Sequence, residues 1–163
     1  DETAREIRGW LDAPEAAELV AVARGLSDRR SIVVAGTGYG LPVANEIALK
    51  IKEASYVHAE GFASGEFRHG SAAMLDDRCA LIGIVDEASR ETLRTPLAEA
   101  AQTDSARFVI GGKLDAIPLL GPIVGEAFNT LAWIVTGQVL ALEIGRARSV
   151  ESDAPRGLKK YLG

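Results

Sequence analysis

The sequence contains almost no cysteine. Cys79 is the single cysteine among 163 residues, so no disulfide can form within the chain. It opens the apolar run CALIGIV, where an isolated cysteine is most often a buried small hydrophobic residue. The chain also begins without a leader that has a charged start and an apolar core. Together these absences favour a reducing compartment, and we expect a cytoplasmic protein.

The sequence has no excess of positive charge. Lysine and arginine number 18 against 23 aspartates and glutamates, which gives a formal net charge of -5. Proteins that bind nucleic acid usually carry a basic face or stripe, and none stands out here. We therefore expect no nucleic acid partner.

A long uninterrupted apolar run is missing as well. The most apolar region, residues 119–145, contains Glu126, Asn129 and Gln138, whereas a membrane-spanning helix needs about 20 nearly uninterrupted apolar residues. We expect no membrane partner and instead predict a buried helix over residues 123–146. Its apolar positions lie on nearly all sides, which predicts that the sheet or a second subunit covers it.

Apolar strands alternate with helix-patterned stretches along the chain. The runs SIVVAG, CALIGIV and RFVIGG are almost wholly apolar, as strands buried on both faces are. This alternation predicts a three-layer α/β/α sandwich with a parallel sheet, of the Rossmann or flavodoxin-like type. The predicted helices cover residues 13–26, 41–55, 64–74, 89–101 and 123–146.

The length of the chain fits one domain. A chain of 163 residues removes roughly 70% of its unfolded surface from water when it folds. We expect a single domain over residues 1–163, with a lead-in segment at 1–12 and a C-terminal tail at 150–163. Asp12 is expected to cap the first long helix, and Pro14 to stand in its first turn.

The loop GTGYG follows the first predicted strand directly and precedes a helix. Parallel sheets bind ligands at the carboxyl ends of their strands, so the loops after Gly36 and Val85 are candidate positions for chemistry. GTGYG resembles a dinucleotide-binding fingerprint, but the third glycine of that motif falls on Leu41. A tight turn that needs glycine backbone angles explains the glycines better than a nucleotide does.

Charged residues are dense between positions 46 and 72. Glu46, Lys50 and Glu53 are four and three residues apart, so on a helix they share one face. Exposed, they would form a ladder of ion pairs, each contributing a few tenths of a kcal/mol. A second charged cluster, Glu60, Glu66, Arg68 and His69, follows within sixteen residues of Glu53, and this weakens the interpretation as a solvated face.

The residues alone allow two chemistries for this region. His58, Glu60, Glu66 and His69 form a possible metal-binding set, with Glu66 and His69 one helical turn apart. The alternative is proton transfer, with Glu53 as the base and an imidazole moving a second proton.

Two segments carry a resemblance to a known family. ALKIKEASYVHAEGFASGEFRHG resembles the second sugar isomerase (SIS) domain of glucosamine-6-phosphate synthases and their relatives. Near the C-terminus, DAPRGLKKYLG is similar to the closing segment of the same family. The order of strands and helices between them also suits an SIS domain, so the resemblance spans nearly the whole chain and favours proton transfer over a metal.

The resemblance implies roles for four residues. Glu53 is implied as the base that shuttles a proton between C1 and C2 of an open-chain sugar phosphate, and Lys50 as the group that holds and polarises the sugar. His69 is implied to help open the sugar ring at the neighbouring subunit's site, which implies a homodimer. Lys160 is implied to form a Schiff base with a keto sugar. The family pattern implies no metal and no cofactor.

The family's phosphate-binding turn has a poor counterpart in this sequence. The segment EASRET keeps Ser89 and Thr92, which are weak candidates for substrate binding. Glu87 replaces a serine and would place a negative charge beside a phosphate, and Arg90 replaces a glycine. We therefore expect Ser89 to be a helix N-cap, and a preceding SIS domain to supply the phosphate site.

The resemblance leaves the function at the level of a class. The leading hypothesis is the C-terminal half of a two-SIS sugar-phosphate isomerase, aminotransferase or deaminase, inactive as an isolated chain. The alternative is a non-catalytic module that senses a sugar phosphate or dimerises. A sensor has no need of Glu53 and Lys160, so these two residues favour the enzyme.

Overall fold

The fold is built on a parallel sheet. The computed structural model describes residues 2–67, 70–124, 129–154 and 156. Within them, five strands pair in parallel in the order β2-β1-β3-β4-β5. The strands are β1 Ser31–Gly36, β2 His58–Ala63, β3 Cys79–Ile84, β4 Ala106–Ile110 and β5 Leu119–Leu120.

Helices cover both faces of the sheet. Alternate residues of β1 belong to different hydrophobic clusters, with Ile32 and Val34 on one face and Val33 and Ala35 on the other. This arrangement confirms the predicted three-layer sandwich. The helices are α1 Glu2–Leu11, α2 Pro14–Leu26, α3 Gly40–Ser55, α4 Ser64–Phe67, α5 Arg90–Gln102 and α6 Asn129–Ala147, with a 3₁₀ turn at Ser71–Met74.

The two central strands explain why the sheet could be predicted. Every residue of β1 and of β3 is buried, because each strand has a neighbour on both sides and a helical layer on both faces. Ser31 is in register with Cys79, and the pairing is parallel. The apolar runs SIVVAG and CALIGIV are therefore strands of the predicted kind.

Two predictions about helix ends are wrong. Asp12 does not cap α2, because Ala13 is the N-cap and no side chain bonds there. The helix predicted over 64–74 is described only as Ser64–Phe67, and residues 71–74 form a separate 3₁₀ turn. Gly70 has a φ of +110° just before the 3₁₀ turn, so the helix cannot run through it.

The last helix starts later than predicted. Its described part is Asn129–Ala147, and residues 123 and 124, where its start was predicted, are not helical. Among the described residues, no helix is long and apolar enough to cross a membrane.

Helix α3 runs from the carboxyl ends of the strands back to their amino ends. It begins at Gly40, the last residue of the GTGYG turn, in which Gly38 has a φ of +55° and a Cβ on Gly36 would collide with the backbone of Gly40. The turn thus needs its glycines, as predicted. Sixteen residues of helix are about 24 Å long, so Ser55 lies at the amino edge of the sheet, next to the start of β2.

Candidate active site

A charged triad lies on the outer face of α3. The Nζ atom of Lys50 is 2.8 Å from Glu53 Oε2 and 3.7 Å from Glu46 Oε1. All three side chains are about one-third exposed. The hydrogen bond to Glu53, followed by the charges of Glu53 and Glu46, raises the pKa of Lys50 above its ordinary value. The structure therefore brings together the predicted base and the predicted sugar-holding cation.

The opposite face of α3 holds this triad in place. Ile47 and Ile51 are buried, and α6 packs so closely on them that a Cβ on Gly137 would collide with Ile47. On the outer face, Leu49 lies beside the triad and is 41% exposed. A rigid helix thus presents two carboxylates, an ammonium group and an apolar side chain to whatever covers this face.

The triad is remote from the ligand-binding edge of its own sheet. Glu53 lies in the last turn of α3, and the helix begins at the carboxyl edge with Gly40. Thirteen residues of helix place Glu53 about 20 Å from that edge. The loops after Gly36 and Val85, where we expected the chemistry, therefore lie at the opposite end of the strands from Glu53. A ligand at Glu53 needs a second surface to enclose it.

The possible metal set is divided between opposite ends of β2. His58 begins β2, where its Nδ1 is 2.8 Å from Ser31 Oγ and its Nε2 is 3.7 Å from Glu60 Oε1. Glu66 follows the other end of the strand in α4. Six strand residues span roughly 17 Å between these ends, so His58 and Glu66 cannot bind the same ion. Among the described residues, no group of three potential ligands could hold a metal.

Three hydroxyl groups meet at the carboxyl edge of the sheet. Thr92 Oγ1 is 3.0 Å from Ser64 Oγ and 3.3 Å from Thr37 Oγ1, and Thr37 also contacts Ser64 directly. The Thr92 hydroxyl donates to the carbonyl of Ser89. Each of these hydroxyls therefore has a hydrogen-bond partner within the protein, at the position where the phosphate turn was considered.

Ser89 is likewise used within the protein. It is fully buried, and its hydroxyl donates to the Ile84 carbonyl at 2.9 Å while accepting the Asp86 N–H at 2.8 Å. Ser89 does occupy the N-cap position of α5, but no side-chain bond caps the helix. The position is as predicted, whereas the hydroxyl stabilises the preceding loop and not the helix end.

Two other predicted site residues, His69 and Lys160, lie outside the described residues. The described part of the C-terminal segment does reach the site. Arg156 stacks on Tyr56, with its guanidinium carbon 4.2 Å from the ring centroid. Tyr56 is the C-cap of α3, three residues after Glu53. Sequence reasoning missed this contact, because the two residues are a hundred positions apart.

The strand order defines a doubly wound α/β domain of the flavodoxin-like type. A sequence model of the SIS domain matches residues 25–113. The chain belongs to the SIS domain family.

Known proteins are similar to this chain in sequence and in fold. The glutamine–fructose-6-phosphate aminotransferase (isomerizing) of Gloeobacter violaceus is 32% identical over 167 aligned positions, covering 96% of this chain and 27% of that protein. The C-terminal domain of glucosamine-fructose-6-phosphate aminotransferase from Francisella tularensis is 25% identical, with a TM-score of 0.78, and the match covers 94% of this chain and 46% of that one.

A third similar protein shows the fold alone. The glucosamine-6-phosphate deaminase of Thermotoga maritima is 20% identical, with a TM-score of 0.70 over 97% of this chain and 48% of that one. This chain therefore spans about a quarter of the curated relative from Gloeobacter violaceus and about half of each of these two solved chains.

Proposed function

We propose that this chain is the C-terminal half of a two-SIS enzyme that converts a hexose 6-phosphate or an amino-sugar phosphate. The reaction class is proton transfer between C1 and C2, as in an isomerase, aminotransferase or deaminase. One observation carries this proposal: Lys50 and Glu53 form a close ion pair on a rigid helix face that is partly open to a ligand.

The pair suits this chemistry. The carboxylate of Glu53 would remove a proton from one carbon of the open-chain sugar and return it to the neighbouring carbon. Negative charge develops on the sugar oxygen during this step. The ammonium group of Lys50 would stabilise that charge. Its hydrogen bond to Glu53 raises its pKa further above neutrality.

His69 and Lys160 complete the proposed site. His69 would donate a proton to the ring oxygen as the sugar opens, in the site of the neighbouring subunit of a homodimer. The amine of Lys160 would add to the keto carbon of the sugar, and loss of water would then give a Schiff base. No cofactor is required for these steps.

The remainder of the site belongs to a preceding SIS domain. Glu53 lies about 20 Å from the carboxyl edge of its own sheet, so that edge cannot hold a phosphate near it. The hydroxyls of Ser89 and Thr92 are engaged by backbone carbonyls at that same edge. We therefore propose that residues 1–163 form one SIS domain that is inactive alone, in a cytoplasmic enzyme.

The alternative function is a non-catalytic dimerisation module. Leu49 and Leu131 are 41% and 51% exposed. Exposed leucines favour a surface that a second subunit covers, and this holds whether or not the protein is an enzyme. The two functions differ in whether Glu53 matters for turnover.

The test is the turnover of the full-length protein with Glu53→Gln. Loss of a general base lowers kcat by about 10²–10⁴-fold, and KM should change little because the amide keeps the shape of the side chain. Glu6→Gln is the matched control, since Glu6 is an exposed glutamate of α1. Equal activity in both variants would favour the dimerisation module.

A further inference from the structure

We infer that Arg148 is a positioning residue, which holds the last turn of α3 and thereby keeps the carboxylate of Glu53 beside the ammonium group of Lys50. The effect on turnover rests on the proposed function, whereas the contacts of Arg148 with α3 are independent of it. The family resemblance implies no role for this arginine.

The turn that carries Glu53 needs support from outside the helix. Glu53 is the third residue from the end of α3, which ends at Ser55. The last four carbonyl groups of a helix have no partner within it, and helix ends fray. Lys50 lies one turn earlier. Opening of the last turn would therefore move Glu53 away from Lys50.

The guanidinium group of Arg148 joins the ends of two helices. Its Nε donates to the Ser55 carbonyl at 2.9 Å, and its Nη1 donates to the Ser27 carbonyl. Ser55 is the last residue of α3, and Ser27 is the C-cap of α2. A positive group at a helix C-terminus is also favoured by the helix dipole. These two hydrogen bonds, here called the Arg148 clasp, tie the end of α3 to the end of α2.

The backbone of Arg148 is itself held in place. Directly after it, the N–H of Ser149 donates to the Arg146 carbonyl at 3.0 Å, and the N–H of Val150 donates to the Gly145 carbonyl at 2.9 Å. Ser149 has a φ of +57°. These two bonds around a left-handed residue form a Schellman motif at the end of α6. The arginine side chain therefore extends from a defined backbone.

A second contact from α6 supports the same turn. A Cβ on Gly145 would collide with the Ala54 carbonyl oxygen, so the two helix backbones touch there. Ser55 is fully buried, and its hydroxyl donates back into α3. The Glu53 side chain is nevertheless about one-third exposed. The turn thus has a fixed backbone on its inner side and an accessible carboxylate on its outer side.

This support matters because proton transfer depends on exact placement of the base. A displacement of about 1 Å can slow a reaction by about 10²-fold. The Arg148 clasp acts on the backbone of the base and makes no contact with the sugar in the proposed site. We therefore expect Arg148 to raise kcat with little effect on KM.

Hydrogen exchange in the full-length protein tests the clasp by itself. The amide of Tyr56 donates to the Lys52 carbonyl and so reports on the last turn of α3. Its exchange should be about tenfold faster in Arg148→Met, which loses both hydrogen bonds of the clasp. Arg146→Met is the matched control, since the Arg146 side chain pairs with Glu143 of its own helix. A wild-type exchange rate in Arg148→Met would overturn the clasp.

Arg148→Lys protects the test against misfolding. Lysine keeps the positive charge but lacks the planar fork that reaches the Ser27 and Ser55 carbonyls together. Exchange at Tyr56 should then be intermediate, and exchange in α5, which packs on the other face of the sheet, should stay at the wild-type rate. Unchanged exchange at Tyr56, or equally faster exchange in α5, would count against the clasp.

A double mutant of the full-length protein tests the positioning role. Arg148→Met should lower kcat by about 10- to 10²-fold with KM nearly unchanged, and Arg146→Met should change neither. If Arg148 acts through Glu53, adding Arg148→Met to Glu53→Gln should lower kcat no further, whereas independent effects multiply. A multiplied loss, or a normal kcat in Arg148→Met alone, would overturn the positioning role.

Failure of the proposed function is a separate outcome. If Glu53→Gln alone turns over at the wild-type rate, Glu53 is not the base, and the positioning role of Arg148 fails with it. The exchange rate at Tyr56 does not depend on turnover, so it decides the clasp in either case.

Discussion

Lys50 Nζ lies 2.8 Å from Glu53 Oε2, one turn before the end of α3. The two residues are on the outer face of a helix whose inner face is fully packed. This relationship joins a candidate base to the cation that would stabilise the charge formed when the base acts.

Removing the cation should slow the chemistry. In the full-length protein, Lys50→Met is expected to lower kcat by about 10²-fold, because one preorganised charge near the developing oxyanion is lost. Lys52→Met is the matched control, since Lys52 is an exposed lysine on the same helix. Steady-state kinetics of both variants make the comparison, and equal kcat values would show that Lys50 only balances the charge of Glu53.

The same ion pair predicts a pH-dependent stability. The pKa of Lys50 is raised in the folded chain above its ordinary value of 10.5. Its stabilisation is therefore complete below that value and is lost as the pH rises through the folded pKa. The pair is about one-third exposed, so a double-mutant cycle with Lys50→Met and Glu53→Gln should give only about 0.3–0.5 kcal/mol at pH 8.

The pH series has an internal control. At pH 11 the coupling between Lys50 and Glu53 should fall, as measured by the free energy of unfolding in urea. Arg94 and Glu91 form a pair of the same spacing at 3.1 Å, and arginine stays charged at this pH. A coupling that falls equally in both pairs would point to general unfolding rather than to the titration of Lys50.

A close approach between α3 and β2 predicts a sensitive glycine. A Cβ on Gly61 would come within 2.8 Å of the Asn45 Cα, a backbone atom that cannot move aside easily. Gly61→Ala should therefore destabilise the chain by about 1–3 kcal/mol. Gly65→Ala is the matched control, because nothing lies within 4 Å of its Cβ position. Equal urea midpoints for the two variants would show that α3 and β2 can move apart to admit the added Cβ without lowering the free energy of unfolding.

The sequence was sufficient to predict the parts of the fold that depend on local pattern. Strands β1 and β3 are buried on both faces, so their apolar runs are unmistakable. Strand β2 was missed because it lies at the edge of the sheet, where His58 and Glu60 are about half exposed and break the apolar pattern.

Some parts of the candidate site also follow from local sequence pattern, and others do not. Glu53 and Lys50 were predicted together because helical spacing alone places them on one face. The contact between Tyr56 and Arg156 depends on how the segment after α6 returns to α3, and no local pattern signals it. The remoteness of Glu53 from the carboxyl edge depends on the direction of α3 relative to the sheet. We did not infer from that direction at which end of the strands Glu53 lies.

The isolated chain should assemble without binding substrate. Its exposed leucines at 49 and 131 predict a dimer, so sedimentation at micromolar concentration should give about twice the 17.2 kDa of one chain. A species of only single-chain mass would contradict this prediction.

Calorimetric titration tests the missing phosphate site. Because Ser89 and Thr92 are engaged within the chain, fructose 6-phosphate should produce no heat of binding at micromolar levels. A micromolar dissociation constant that weakens in Ser89→Ala would instead identify a working phosphate site in the loop before α5.

The most direct test of the central claim follows the proton itself. Full-length protein is given fructose 6-phosphate that carries deuterium at C1, with any co-substrate the reaction needs, and loss of the label from C1 is measured by NMR in a single turnover. We predict that Glu53→Gln loses the label at least about 10²-fold more slowly than wild type, with unchanged affinity for the sugar. Loss of the label at the wild-type rate in Glu53→Gln would show that another group is the base.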